Sequence, residues 1–131
     1  MQISKAFVQR FHKLRVDRDF AGAERELEAL RGRLARAEWG RGYLAALEGM
    51  LTAYRNRNDK YALINRFPSS KEEVAPLLEE FRLKSKSYVS SDYDRGFFHA
   101  WADFAQLVAE GLIEVEKPTE VKEEELESPA S

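Results

Sequence analysis

Apolar residues recur three and four positions apart along most of residues 3–112, and nowhere do they alternate one by one as a half-buried strand requires. Ile3, Phe7, Phe11 and Leu14 mark one stripe of a first helix. Asp19 is a good N-cap for a second, whose stripe is Ala23, Leu27, Leu30, Leu34 and Ala37. A third helix is expected from Glu38 to Arg55, where the turn-forming run Asn56-Arg57-Asn58-Asp59 ends it. Residues 60–66 read as a short helical turn. Beyond Phe67-Pro68, Ser70 and Glu73 stand at capping-box spacing and open a fourth helix with Val74, Leu77, Leu78 and Phe81 on its stripe. Pro76 is expected to bend or restart that helix, because its ring collides with the preceding turn. Ser90-Ser91-Asp92 caps a fifth, which ends near Gly111. The pattern predicts an all-α bundle of four to five helices.

The chain also resembles itself. An offset of 54 residues lays Glu38-Trp39-Gly40-Arg41-Gly42-Tyr43 onto Asp92-Tyr93-Asp94-Arg95-Gly96-Phe97, with Ala46 on Ala100 beyond. The same offset pairs Phe20 with Val74, Ala23 with Leu77, Leu27 with Phe81 and Leu34 with Tyr88, while Leu30 against Lys84 breaks the match. Two helical hairpins are therefore repeated, and two copies are too few for a solenoid, so the hairpins are expected to close on each other. On a helical wheel the apolar residues of the third and fifth helices each cover an arc of about 200°, which makes these two helices central. Gly42 with Ala46, and Gly96 with Ala100, leave room for two backbones to meet about a pseudo-twofold axis. A leucine at either glycine would overfill such a crossing, whereas an alanine would strain it less.

Composition adds a core and a charged skin. Of 131 residues, 44% are hydrophobic and 34% charged, enough apolar material to exclude a wholly disordered chain. No apolar run reaches the length of a membrane helix, and no leader-like stretch opens the chain, so a soluble cytoplasmic protein without membrane partners is expected. The absence of cysteine excludes disulfides, zinc ribbons and a thiol nucleophile. Together with only three Asn and three Gln, it gives a composition of the kind found in heat-adapted proteins. The net charge of -2 hides an uneven spread: residues 1–36 hold nine Lys/Arg against five Asp/Glu, and residues 113–131 two against seven. That last segment has two prolines and no aromatic residue, and is expected to be a disordered acidic tail behind a helical domain of residues 1–112.

Catalytic chemistry finds few residues to use. There is no glycine-rich phosphate loop, no nucleophile elbow and no paired-histidine zinc motif, so no cofactor, metal or enzymatic activity is expected. His12 has no second ligand on its face apart from Asp19, a heptad later. On the fifth helix Arg95, His99 and Asp103 follow one another at i, i+4 and i+8, beside Asp92, Gln106 and Glu110. A histidine beside a carboxylate can titrate near neutrality, so this line is a secondary candidate site. The plainer reading is a solvated helix face held by intrahelical ion pairs. In the first repeat the matching positions, Arg41, Ala45 and Gly49, carry no such chemistry, although Glu38–Arg41 and Asp92–Arg95 have equivalent pairing distances.

Binding finds more. Arg10, Lys13, Arg15 and Arg18 crowd the end of the first helix, Arg31, Arg33, Arg36 and Arg41 the second turn region, and Arg55 and Arg57 the next loop. Arginine forks suit phosphates, which makes RNA or DNA one candidate partner. Acidic residues stand between these arginines, however, and can pair with them at i,i+3 or i,i+4. The reading that needs least is a small accessory or adaptor subunit acting through its faces on a protein partner, with a second copy of the chain as a further candidate.

Overall fold

The structure is a computed structural model, which describes residues 3–56, 58 and 62–115. Five α-helices form a bundle, and no strand is present among the described residues. They are α1 (Lys5–Val16), α2 (Phe20–Leu34), α3 (Glu38–Arg55), α4 (Lys71–Ser85) and α5 (Asp92–Ala109), with a 3-10 turn at Leu63–Arg66. Most starts are written into the sequence as caps. The Asp19 carboxylate accepts from Gly22 N–H, the Ser70 hydroxyl from Glu73 N–H and the Ser91 hydroxyl from Asp94 N–H. Ser70 also donates to the Glu73 carboxylate at 3.1 Å, which completes the capping box. Pro76 does not restart α4, which runs unbroken through it. Its ring sits near the start of the helix, where the missing N–H forfeits a single hydrogen bond to the carbonyl of Glu72.

Two helix ends use the same backbone device with different residues. After α5, Gly111 takes φ 73° while its N–H donates to the Val108 carbonyl and that of Leu112 to the Leu107 carbonyl. This left-handed stop is the one glycine allows most cheaply. After α1 the identical pattern, Arg18 to Arg15 and Asp19 to Leu14, is made by Arg18 at φ 64°. The chain then returns to the core: Ile113 is buried and Val115 packs against the apolar cluster. The packed part of the molecule thus extends beyond residue 112, because the tight stop at Gly111 turns the chain back across α1. Of the expected tail, residues 116–131 lie outside the described residues, as does Arg57.

The α3–α5 crossing forms the centre. A β-carbon at Gly42 would collide with the carbonyl oxygen of Tyr93, and one at Gly96 with the carbonyl oxygen of Trp39. Tyr93 and Trp39 are themselves partners in the 54-residue repeat, so the contact is reciprocal about a pseudo-twofold axis. Backbone rather than flexible side chain is the obstacle, so the β-carbon of an alanine already collides there and the smaller residue does not avoid the strain. Ala46 and Ala100 are fully buried beside the crossing.

The outer helices follow a different register. α3 and α5 begin at residues 38 and 92, 54 apart, but α2 and α4 begin at 20 and 71, only 51 apart. The buried stripe of α2, Ala23, Leu27 and Leu30, therefore corresponds to Val74, Leu78 and Phe81 of α4. This removes the mismatch of Leu30 with Lys84. It also overturns the pairing of Leu34 with Tyr88: Leu34 is 2% exposed and Tyr88 101%. The three residues gained lie in the α4–α5 loop, which spans residues 86–91 where the α2–α3 loop spans 35–37.

α1 closes the bundle by packing against α2 and α5, with Arg15 reaching Tyr54 at the end of α3. Its buried residues are Val8, Phe11, His12 and Arg15, while Ile3, Phe7 and Leu14 are half-buried, so the buried stripe is rotated from the one the apolar pattern suggests. The Arg15 guanidinium lies over the rings of Tyr54 (4.7 Å) and Phe104 (5.3 Å), and its Nε donates to His12 Nδ1 at 3.2 Å. A flat, weakly hydrated cation can stack where an ammonium would not.

Candidate functional site

The basic residues of the first half divide into three groups. Arg15 is enclosed and drops out of any cationic surface, because its charge faces two aromatic rings instead of solvent. A second group is exposed but engaged. Arg10 grips Glu26 with two parallel bonds of 2.8 and 3.1 Å. Arg31 bonds Glu48 at 2.8 Å and Glu28 at 3.3 Å, Arg55 pairs with Glu24, and Arg41 pairs with Glu38 while reaching the Ala35 carbonyl. Arg18 lies over Phe20 at 4.8 Å. The third group consists of Lys13, Arg33 and Arg36, which are exposed and make no ion pair among the described residues. Arg25 joins them on α2, and the exposed Ala29 and Gly32 lie between it and Arg36.

The polar line of α5 is also divided. Arg95 belongs to the hairpin, not to a reactive site: it bonds Asp92 and the carbonyls of Ser87 and Ser90. Arg41 treats its own loop in the same way through Glu38 and Ala35. These equivalent clamps hold each inter-helix loop to the first turn of the following helix.

His99 and Asp103 do come together, and with a residue that spacing along one helix could not show. His99 Nε2 stands 3.5 Å from Asp103 Oδ1, and Tyr43 of α3 donates its hydroxyl hydrogen to Asp103 Oδ2 at 2.7 Å. The imidazole sits edge-on to Trp39, their centroids 5.3 Å apart. This line is therefore not a purely solvated face. Burial raises the Asp103 carboxyl above its ordinary range, against the opposing pull of the Tyr43 bond and His99. Tyr43 is held well above the usual phenol range by burial first and then by the Asp103 charge and bond. A signal was present in the repeat: Tyr43 matches Phe97, and a hydroxyl at a central apolar position needs an acceptor.

Beside this cluster a groove of about 420 Å³ opens between the last turn of α4 and the middle of α5. Arg82, Ser85 and Lys86 line one wall, and His99, Asp103 and Gln106 the other. Arg82 is tied to the Gln106 carbonyl oxygen, while the Gln106 amide donates to Glu110 at 2.9 Å. No group of three His, Asp or Glu side chains suited to a metal ion occurs among the described residues.

Next to the groove the α4–α5 loop presents Tyr88 and Val89, 101% and 96% exposed, with Leu83 and Tyr93 nearby in sequence and also exposed. Exposed single apolar residues are ordinary, but two fully bare ones side by side in an inserted loop are a candidate contact surface. Compared with family models, curated proteins and solved structures, the chain matches none of them. No helix among the described residues is long and apolar enough to cross a membrane.

Proposed function

We infer that the chain is a small protein-interaction module, an accessory subunit of the cytoplasm that receives a protein partner on the α4–α5 loop. The observation that carries this reading is the exposure of Tyr88 and Val89 in a three-residue insertion, where the equivalent loop of the first hairpin is short and its helix ends on a buried Leu34. An aromatic residue with few rotatable bonds is a favourable anchor for a partner's pocket. Lys86 is exposed beside the loop without an acidic partner among the described residues, which suits a partner segment with apolar side chains bordered by carboxylates. The test is co-purification from the native host before and after nuclease treatment, comparing the parent with a Tyr88→Ser, Val89→Ser double variant. A protein that survives nuclease and is lost from the double variant supports the reading. Retention of every co-purifying protein by a variant that melts like the parent overturns it.

A second reading rests on the outer face of α2. Arg25, Arg33 and, in the following loop, Arg36 are exposed and without acidic partners among the described residues, with the small Ala29 and Gly32 exposed among them, so a nucleic-acid backbone could approach despite the neighbouring Glu28. Engagement of Arg10, Arg31, Arg41 and Arg55 by carboxylates weakens the field this half offers to a polyanion. Partners that disappear on nuclease treatment, with affinity falling steeply with salt and on Arg33→Gln with Arg36→Gln, would favour it.

A further inference from the structure

The groove between α4 and α5 gathers cations from outside a single helix end. Arg82 by itself would be a plain complement to the negative C-terminal end of α4. Lys86, however, lies beyond that helix, and His99 comes from the facing one. Gln106 draws the Arg82 guanidinium to the α5 wall with a single bond from Nη2, and a guanidinium carries five N–H donors. The carboxylate lining the space, Asp103, has Oδ2 engaged by the Tyr43 hydroxyl and Oδ1 facing His99. Arg82, Lys86 and His99 thus share a groove of about 420 Å³ with one carboxylate, of which Oδ2 accepts from Tyr43 and Oδ1 lies 3.5 Å from His99 Nε2.

We propose that this groove binds a small phosphate monoester, with Arg82 and Lys86 holding its oxygens and the His99 ring, protonated on both nitrogens with Nε2–H toward Asp103, contributing a third donor through Nδ1–H. Separate donors on three side chains match the three terminal oxygens of a phosphate better than the two of a carboxylate. The first hairpin has nothing comparable, since Ala45 and Gly49 occupy the positions of His99 and Asp103. The site shares Lys86 with the partner surface proposed above, but it does not involve Tyr88 or Val89, and the two readings are tested by different measurements.

The experiment is a nitrogen-15 NMR titration of the full chain with inorganic phosphate and with glycerol 3-phosphate, against acetate at matched ionic strength. Saturable shifts at Ser85, Lys86, His99 and Gln106 are expected with both phosphates and not with acetate. Arg82→Gln combined with Lys86→Gln should weaken binding about ten-fold or more. Lys71→Gln, at the opposite end of α4, should leave it unchanged. Because Lys86 is exposed beyond the helix, Lys86→Gln alone keeps the fold should the double variant melt early, and it too must weaken binding. The proposal is overturned if acetate shifts the same residues equally, if phosphate shifts are non-saturating and scattered over exposed cations, or if Lys86→Gln binds like the parent.

Discussion

The α2–α3 and α4–α5 hairpins share helix lengths, a reciprocal glycine crossing and an arginine clamp, yet one closes tightly and the other stands open. In the first, the turn is so short that Gly40 lies directly against the Leu34 carbonyl oxygen. Asp94 occupies the matching place in the second, where three added residues carry Tyr88 and Val89 outward. The polar faces of α3 and α5 differ in the same sense. Where the first hairpin has Ala45 and Gly49, the second has His99 and Asp103, and the crossing brings Tyr43 to that carboxylate. A duplicated scaffold thus keeps what holds the crossing together and varies what faces outward from it.

The strongest way to break this comparison is at the crossing. Gly42→Ala and Gly96→Ala should each destabilise by about 2–4 kcal/mol, and leucine by more, because the obstacle is backbone of the opposite helix. Denaturant unfolding checks both, and similar losses at the two positions are what pseudo-symmetry requires. If one is silent, the crossing is not reciprocal.

A smaller difference separates the loops. Gly40→Ala should cost about 1–3 kcal/mol, since its β-carbon meets the Leu34 carbonyl, whereas Asp94→Ala should stay within about 1 kcal/mol, losing a favourable first-turn charge. Equal thermal midpoints for the two variants would erase the distinction between a tight and an open hairpin.

The third test concerns the seam where α1 joins the two hairpins. His12 is buried with Nε2 unpartnered, and burial, reinforced by the charge of Arg15, holds its pKa well below 6.5. Its ring is packed by Phe11 and Phe104, and Arg15 is the charged group bonded to it. The unfolded chain takes up this proton near its ordinary pKa and the folded chain does not, so stability should be full above about pH 6.5 and decline below it. The expected slope is at most about 1.4 kcal/mol per pH unit. His12→Gln, which keeps an acceptor available to Arg15, should flatten that decline between pH 6.5 and 5, as read from unfolding midpoints. A parental slope preserved in the variant would assign the proton elsewhere.

The candidate site shows where reading along the chain stops. Asp103 was legible as an i,i+4 neighbour of His99, but its partner Tyr43 lies 60 residues away on α3. Arg15 read as part of a basic surface because charge is ordinarily exposed, although Val8, Phe11 and Arg15 share helical spacing and are buried together. The three-residue shift of α4 leaves no mark on the apolar pattern, because Val74, Leu77, Leu78 and Phe81 supply apolar partners for α2 in either register.

By itself the sequence determined what local physics can decide. Caps at Asp19, Ser70 and Ser91 set the starts of three helices, apolar spacing set the all-helical class, and the repeated glycines marked the crossing, because each of these acts within a few turns of chain. Tertiary structure alone decided which polar groups are enclosed and with whom. Arg15 is buried because Tyr54 and Phe104 arrive from two other helices, and Asp103 turns inward because the α3–α5 backbones meet closely enough to bring Tyr43 within 2.7 Å. Desolvation and pairing of a charge depend on every element packed around it, and that environment exists only once the helices have docked.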